Sequence, residues 1–105
     1  MILNAQAAII PVEKLRDYLL FLQHPVGRYK ATYFASLGYT HESWELLEKD
    51  IREILAGAAE LLETTEYGQK LAVRGNLTAP NGRMARVITV WIILNGQTTP
   101  RFVTA

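Results

Sequence analysis

An α+β fold, with three N-terminal helices packed on one face of a C-terminal antiparallel three- to four-stranded sheet, is the architecture that this chain of 105 residues predicts. Three observations carry that prediction. Apolar residues recur at helical spacing from residue 11 to about residue 60, and alternation replaces this period between 61 and 105. The turn-forming pairs Asn81-Gly82 and Asn95-Gly96 then cut the alternating part into strands. Half of the residues are hydrophobic, enough for one core but not two, so residues 1–105 are expected to form a single domain.

Taken in order, residues 2–10 offer too little periodicity to choose between strand and coil, and read as an extended lead-in. Pro11 suits the first turn of a helix. Val12, Leu15, Leu19 and Leu22 follow at helical spacing, which predicts a short amphipathic helix from Pro11 to about Leu22, with Lys14 and Asp17 on its wet side. His24-Pro25-Val26-Gly27 interrupts it, because the residue before a proline is pushed out of the helical region. A second helix, Arg28 to Leu37, places Tyr29, Tyr33, Phe34 and Leu37 on one flank and ends at Gly38 in a left-handed cap. Thr40 is a suitable N-cap for the longest helix, His41 to about Ala58. Its expected buried stripe is Trp44, Leu47, Ile51, Ile54, Leu55 and Ala58, and Glu45–Lys49 and Glu48–Arg52 stand at i,i+4.

Residues 59–66 fit a further helical turn or a strand equally well. Tyr67 to Leu77 alternates, with Leu71, Val73 and Leu77 inward and Lys70, Ala72, Arg74 and Asn76 outward. The strand up to Leu94 is apolar on both faces. Its polar Thr89 beside the aromatic Trp91 suggests that these two share the open face with Lys70 and Arg74, where Trp91 would offer a substrate a platform. Asn95-Gly96 turns the chain into a last short strand, Pro100 to Thr104.

A net charge of +1 conceals segregation. Residues 41–66 hold eight acids against Lys49 and Arg52. From Tyr67 onward there is no acid, while Lys70, Arg74, Arg83, Arg86 and Arg101 are all basic. A basic sheet points to a polyanion such as RNA, and the same pattern is equally served by mutual neutralisation of helix and sheet. With no cysteine, disulfides, zinc-thiolate sites and thiol nucleophiles are excluded. The N-terminus lacks the basic start of a secretory signal, and no run approaches a membrane span. A cytoplasmic protein without membrane contact is expected.

HPVGRYKA, residues 24–31, places a histidine, an arginine and a lysine at a helix entrance. Free backbone donors there favour a phosphate, and Arg28 and Lys30 add charge. His24 has the side chain suited to proton transfer near neutral pH, although a solvated basic loop would look the same. No nucleotide-binding glycine motif, HExxH or GxSxG is present, and only Ser36 and Ser43 could serve as serine nucleophiles. No metal or cofactor is expected.

HPxGRxKAxxFxxLGY from His24 to Tyr39, followed by an NGR turn, VxTVW and a terminal PRFVTA, resembles a family of small bacterial domains of unassigned function. Its members stand beside small partner proteins in a toxin–antitoxin-like arrangement, and the likeness covers essentially the whole chain. In that family the tail commonly runs on past V-T-A into an aromatic-proline pair, which leaves room for a further strand or catalytic residue after Ala105. More distantly, helices followed by an antiparallel sheet resemble the metal-independent RNases that include barnase, EndoU, colicins D and E5, and RelE. That resemblance implies an endoribonuclease using the substrate's 2′-hydroxyl as nucleophile on a tRNA or mRNA, held in check by an acidic antitoxin or immunity protein. The roles it implies are proton transfer for His24, phosphate contact for Arg28 and Lys30, and positioning for Thr89 and Thr104. Lys70, Arg74 and Arg101 would hold flanking phosphates. The competing class is a non-catalytic, immunity- or antitoxin-like module that grips an acidic partner with the basic sheet.

Overall fold

The computed structural model describes residues 5–105 and consists of three helices followed by a four-stranded antiparallel sheet. Residues 2–4 of the expected lead-in lie outside the described residues. Beyond a 3-10 turn, Ala5–Ala7, the lead-in joins the sheet instead of merely preceding it. Ile9 forms a parallel bridge with Arg101, its amide donating to the Pro100 carbonyl at 2.9 Å and its carbonyl accepting from Phe102 at 2.8 Å.

Helix α1 begins as a single turn, Val12–Lys14, and passes directly into a π-helical segment, Leu15–Leu19, in which the Leu20 amide reaches back to the Leu15 carbonyl. The wider turn ends the helix before Leu22, which is therefore exposed, contrary to the sequence expectation; Leu15 and Leu19 are buried as expected. Helix α2, Arg28–Ser36, buries Ala31 and Phe34 while Tyr29 and Tyr33 face outward. Gly38 closes it with φ of +100°, in the left-handed region.

At the next entrance Thr40 and Ser43 form a capping box, the Thr40 amide donating to Ser43 Oγ at 2.7 Å across a 3-10 turn, His41–Ser43. Helix α3, Trp44–Ile54, buries Leu47, Ile51 and Ile54, with Leu55 buried at its cap. Trp44, at the helix start, is only half-buried and packs against the margin of the core. Ala58 is exposed because the helix has already ended.

The sheet runs β1 Ala59–Thr64, β2 Gly68–Thr78, β3 Met84–Leu94 and β4 Arg101–Thr104, in that spatial order. Residues 59–64 are thus a strand, and an exposed edge one. Register decides the faces. Leu61, Leu71, Trp91 and Phe102 stand in one row across the four strands, with Val73 opposite Thr89 and Leu77 opposite Ala85. Apart from Leu61, which is exposed on the edge strand, this is the face that meets the helices, so Thr89 and Trp91 are fully buried, not on the open face. The sequence expectation fails there because a threonine can be satisfied inside a core. Thr89 Oγ1 donates to the Val73 carbonyl at 2.8 Å and accepts from Trp91 Nε1 at 2.8 Å. The open face carries Lys70, Arg74, Arg86, Ile88 and Ile92.

Two turns fix the strand ends. Asn95-Gly96 forms the expected turn, with Gln97 N bonded to the Leu94 carbonyl, although four more residues precede β4. At the other end Asn81 binds the C-terminus of α2, its amide donating to the Leu37 carbonyl and its side-chain nitrogen to that of Ser36. These bonds satisfy carbonyls that a helix end leaves free, and they hold α2 alongside β3.

Thr89→Val keeps the shape of the core and strands the indole N–H of Trp91. The expected loss is about 1–3 kcal/mol, the cost of a buried unsatisfied donor, and urea unfolding would measure it. A variant as stable as wild type would mean that the indole finds another acceptor.

Candidate functional site

Of the residues singled out in the sequence, the fold brings Lys30 and Thr104 together. Lys30 Nζ donates to Thr104 Oγ1 at 2.6 Å, joining α2 to the end of β4 across 74 residues of sequence. The pair borders a cleft of about 610 Å³ lined by Pro11, Glu13, Lys14, Tyr18, Val103 and the two residues themselves. Lys14 Nζ donates to the Val103 carbonyl at 3.3 Å, and the Lys30 ammonium lies 5.8 Å from the centre of the Tyr18 ring. Burial lowers the Lys30 pKa below the ordinary lysine value.

Local structure explains the placement. The register of β3 with β4 shifts between Val90 and Trp91, whose partners are Thr104 and Phe102. Val103 is thereby left over as a bulge, and it lines the cleft with Thr104. On the helical side, Tyr18 packs against the turn leading into α2, its ring edge-on to His24 with centroids 5.0 Å apart. Gly27 permits this packing. A Cβ there would lie 2.8 Å from the Tyr18 carbonyl oxygen and 2.9 Å from its ring, so no larger residue fits without moving α1.

His24 does not line the cleft. Its Nδ1 accepts from the amides of Val26 at 3.0 Å and Gly27 at 2.9 Å, which fixes the neutral tautomer with hydrogen on Nε2 and organises the turn. Arg28 is exposed and lies over the neighbouring Tyr29 ring, 4.9 Å from its centre. The other expected residues stand apart. Thr89 and Trp91 are in the core. Lys70 and Arg74 are on the open face, each paired with a β1 carboxylate, Lys70 with Glu63 at 3.4 Å and Arg74 with Glu60. Arg101 is half-buried across from Ile92, and its Nε has no partner among the described residues.

Glu13, Lys14 and Tyr18 were missed from sequence. A signal was available, since Lys14 and Tyr18 are four apart on α1 and so share one side of it, but the expected helix assigned that side to solvent. Among the described residues no group of three or more His, Asp or Glu side chains is arranged to hold a metal ion. Nor is any described helix long and apolar enough to cross a membrane.

A family model described as a domain of unknown function, DUF6883, matches residues 1–105. No curated protein matches the chain. Among solved structures, one described as a contact-dependent growth inhibition toxin–immunity protein complex from Klebsiella pneumoniae 342 contains a chain of the same fold. The TM-score is 0.71 at 14% identity, over 96% of this chain and 93% of that one.

The Lys30 environment carries a pH signature. In the unfolded chain this amine returns toward the ordinary value of 10.5, so folding releases a proton between the lowered pKa and 10.5. Below that interval both states are protonated and the desolvation cost is felt in full; as pH rises through it, the unfolded chain binds more protons and stability increases. Lys30→Met abolishes this contribution. Urea unfolding at about pH 7 and about pH 10 should show wild type gaining on the variant at the higher pH. A pH-independent difference would mean that the amine is solvated like a free lysine.

Proposed function

This chain belongs to the DUF6883 family, and from the cleft at Lys30 we propose that it is a toxin-type endoribonuclease that cleaves RNA by internal transesterification without a metal. The observation that carries the reading is the Lys30–Thr104 bond inside a cleft that also holds a carboxylate, a phenol and a second amine. Because Thr104 Oγ1 accepts from Lys30, its own hydroxyl hydrogen is free to point at a phosphate oxygen. Lys30 keeps two further N–H bonds for the same group. Kinship of fold with a chain of a toxin–immunity complex adds support for a role in a growth-inhibition system, with an acidic immunity or antitoxin protein as partner.

In this reading Glu13 takes the proton of the ribose 2′-hydroxyl. The 2′-oxygen then bonds to phosphorus as the bond to the 5′-oxygen breaks. Lys30, whose lowered pKa eases proton release, protonates the departing oxygen. Thr104 and Lys14 stabilise the charge on the phosphorane. His24 acts through its turn by positioning Tyr18, and Arg28 at the mouth of α2 meets a flanking phosphate. The products are a 2′,3′-cyclic phosphate and a 5′-hydroxyl end.

One observation favours the second reading, a non-catalytic partner-binding module. Glu60 and Glu63 neutralise two of the five basic residues of the sheet half, and with them much of the case for an RNA-binding open face.

Pure protein incubated with total RNA in EDTA separates the two. The enzyme degrades a molar excess and leaves cyclic phosphate ends. Lys30→Ala and Thr104→Val should each slow cleavage about 10²-fold or more, as loss of acid catalysis or of an oxyanion donor does. His24→Asn, whose side-chain oxygen can still accept the two turn amides, should retain most activity, while His24→Ala should lose it together with stability. No cleavage of any RNA would favour the module, and cleavage abolished by EDTA would overturn the metal-independent mechanism.

A further inference from the structure

The sheet ends at β1, whose outer side has no strand partner among the described residues. This margin is remote from both ends of the chain, since Ile9 and Thr104 lie at β4, three strands away. Exposure rises toward it along a single row. Trp91 is 0% and Phe102 3% exposed and Leu71 is half-buried, yet Leu61, which faces the same way, is 54% exposed. Helix α3 packs on β2, and the apolar row runs on past it. Leu62, the extra residue where the register with β2 shifts, is exposed beside it.

The charge of this margin narrows what can cover it. Residues 59–64 contain neither proline nor lysine, the residues that commonly keep an edge strand from pairing. The carboxylates of Glu60 and Glu63 are drawn over β2 by Arg74 and Lys70, so the strand offers its outer backbone groups without net charge. Like charges facing each other across a strand pair are destabilising, and neutralised ones are not. That is the condition a strand has to meet to pair with its own copy, and a strongly acidic or basic strand would gain nothing from it.

We infer that β1 is the docking site for a second copy of this chain, whose β1 lies antiparallel to it about a twofold axis. Leu61 then stands opposite the second copy's Leu61, and the two four-stranded sheets become continuous. Pairing continues the apolar row across the axis and removes both leucines from water. One short, bulged strand from each copy makes a small interface, so the dimer is weak and its population depends on concentration. The Lys30 clefts lie at the β4 sides and stay open in the dimer, whether or not they cleave RNA.

Sedimentation equilibrium of the whole chain from about 10 μM to about 1 mM should show monomer giving way to dimer. Over the same range, hydrogen exchange should slow at those amides of residues 59–64 that do not donate to β2. Leu61→Lys with Leu62→Lys changes two exposed positions, and should weaken dimerisation at least tenfold with an unchanged circular dichroism spectrum. Lys70→Ala with Arg74→Ala leaves β1 untouched but frees Glu60 and Glu63. It should weaken the dimer at low salt and let it recover in about 0.5 M salt, where the carboxylates are screened. A chain that stays monomeric, slowed exchange confined to residues outside 59–64, or a dimer indifferent to either pair of changes would overturn the proposal. So would a monomer whose 59–64 amides are protected by an added heptapeptide alternating Glu and Val or Lys and Val, which would assign the edge to a charged partner.

Discussion

The buried chain of hydrogen bonds from Trp91 to Thr89 to the Val73 carbonyl is the constraint on which the rest of the structure depends. A strand shifted by one residue turns every side chain to the opposite face. With β3 apolar on both faces, hydrophobicity alone would tolerate either choice. Burial of the large Trp91 ring favours the inward choice, and Thr89, two residues away on the same face, satisfies the indole N–H there. The edge-on contact of Trp91 with Phe102, centroids 5.2 Å apart, carries the choice to β4. Once Phe102 is held inward, the bulge at Val103 presents Thr104 to Lys30, and Ile88 and Arg86 are left outward beside α2.

A second group of contacts holds the helical layer against that sheet. Asn81 ties α2 to the β2–β3 turn, Ile9 pairs with β4, and Arg52 Nη1 donates to the Ala8 carbonyl at 2.8 Å, linking α3 to the N-terminal segment. Tyr39 is buried with its hydroxyl donating to Asp50, and burial, followed by that hydrogen bond, raises its pKa far above the ordinary tyrosine value. The side chains of the cleft at Lys30 come from α1, α2 and β4, with no single element supplying the site.

Charge is distributed differently from its order along the chain. Two of the acids counted with the helical half, Glu60 and Glu63, belong to β1 and cancel Arg74 and Lys70 across the sheet. The basic residues left without carboxylate partners among the described residues include Arg28, Lys30 and Arg86, on α2 and the adjoining β3 edge. Of these, Lys30 is partly desolvated while Arg28 and Arg86 are exposed, with Arg28 lying over the Tyr29 ring.

What the sequence determined by itself is the part governed by neighbours in the chain. Periodicity and the turn residues identified α2, α3 and the hairpins because 3.6-residue and two-residue repeats report local geometry. HPVGRYKA marked the entrance of α2, and the assignment of Lys30 and Thr104 to one site, together with His24, Arg28 and Thr89, came from a family resemblance, not from spacing. Tertiary structure decided the rest. It turned Thr89 and Trp91 inward, since whether a polar group is satisfied depends on a carbonyl 16 residues away. It made Glu13, Lys14 and Tyr18 part of the cleft, since a helix face faces solvent or a cavity according to what packs opposite it. It made His24 a turn acceptor, and it paired β1 acids with β2 bases, because hydrogen bonds and ion pairs act over a few ångströms of space and are blind to position in the chain.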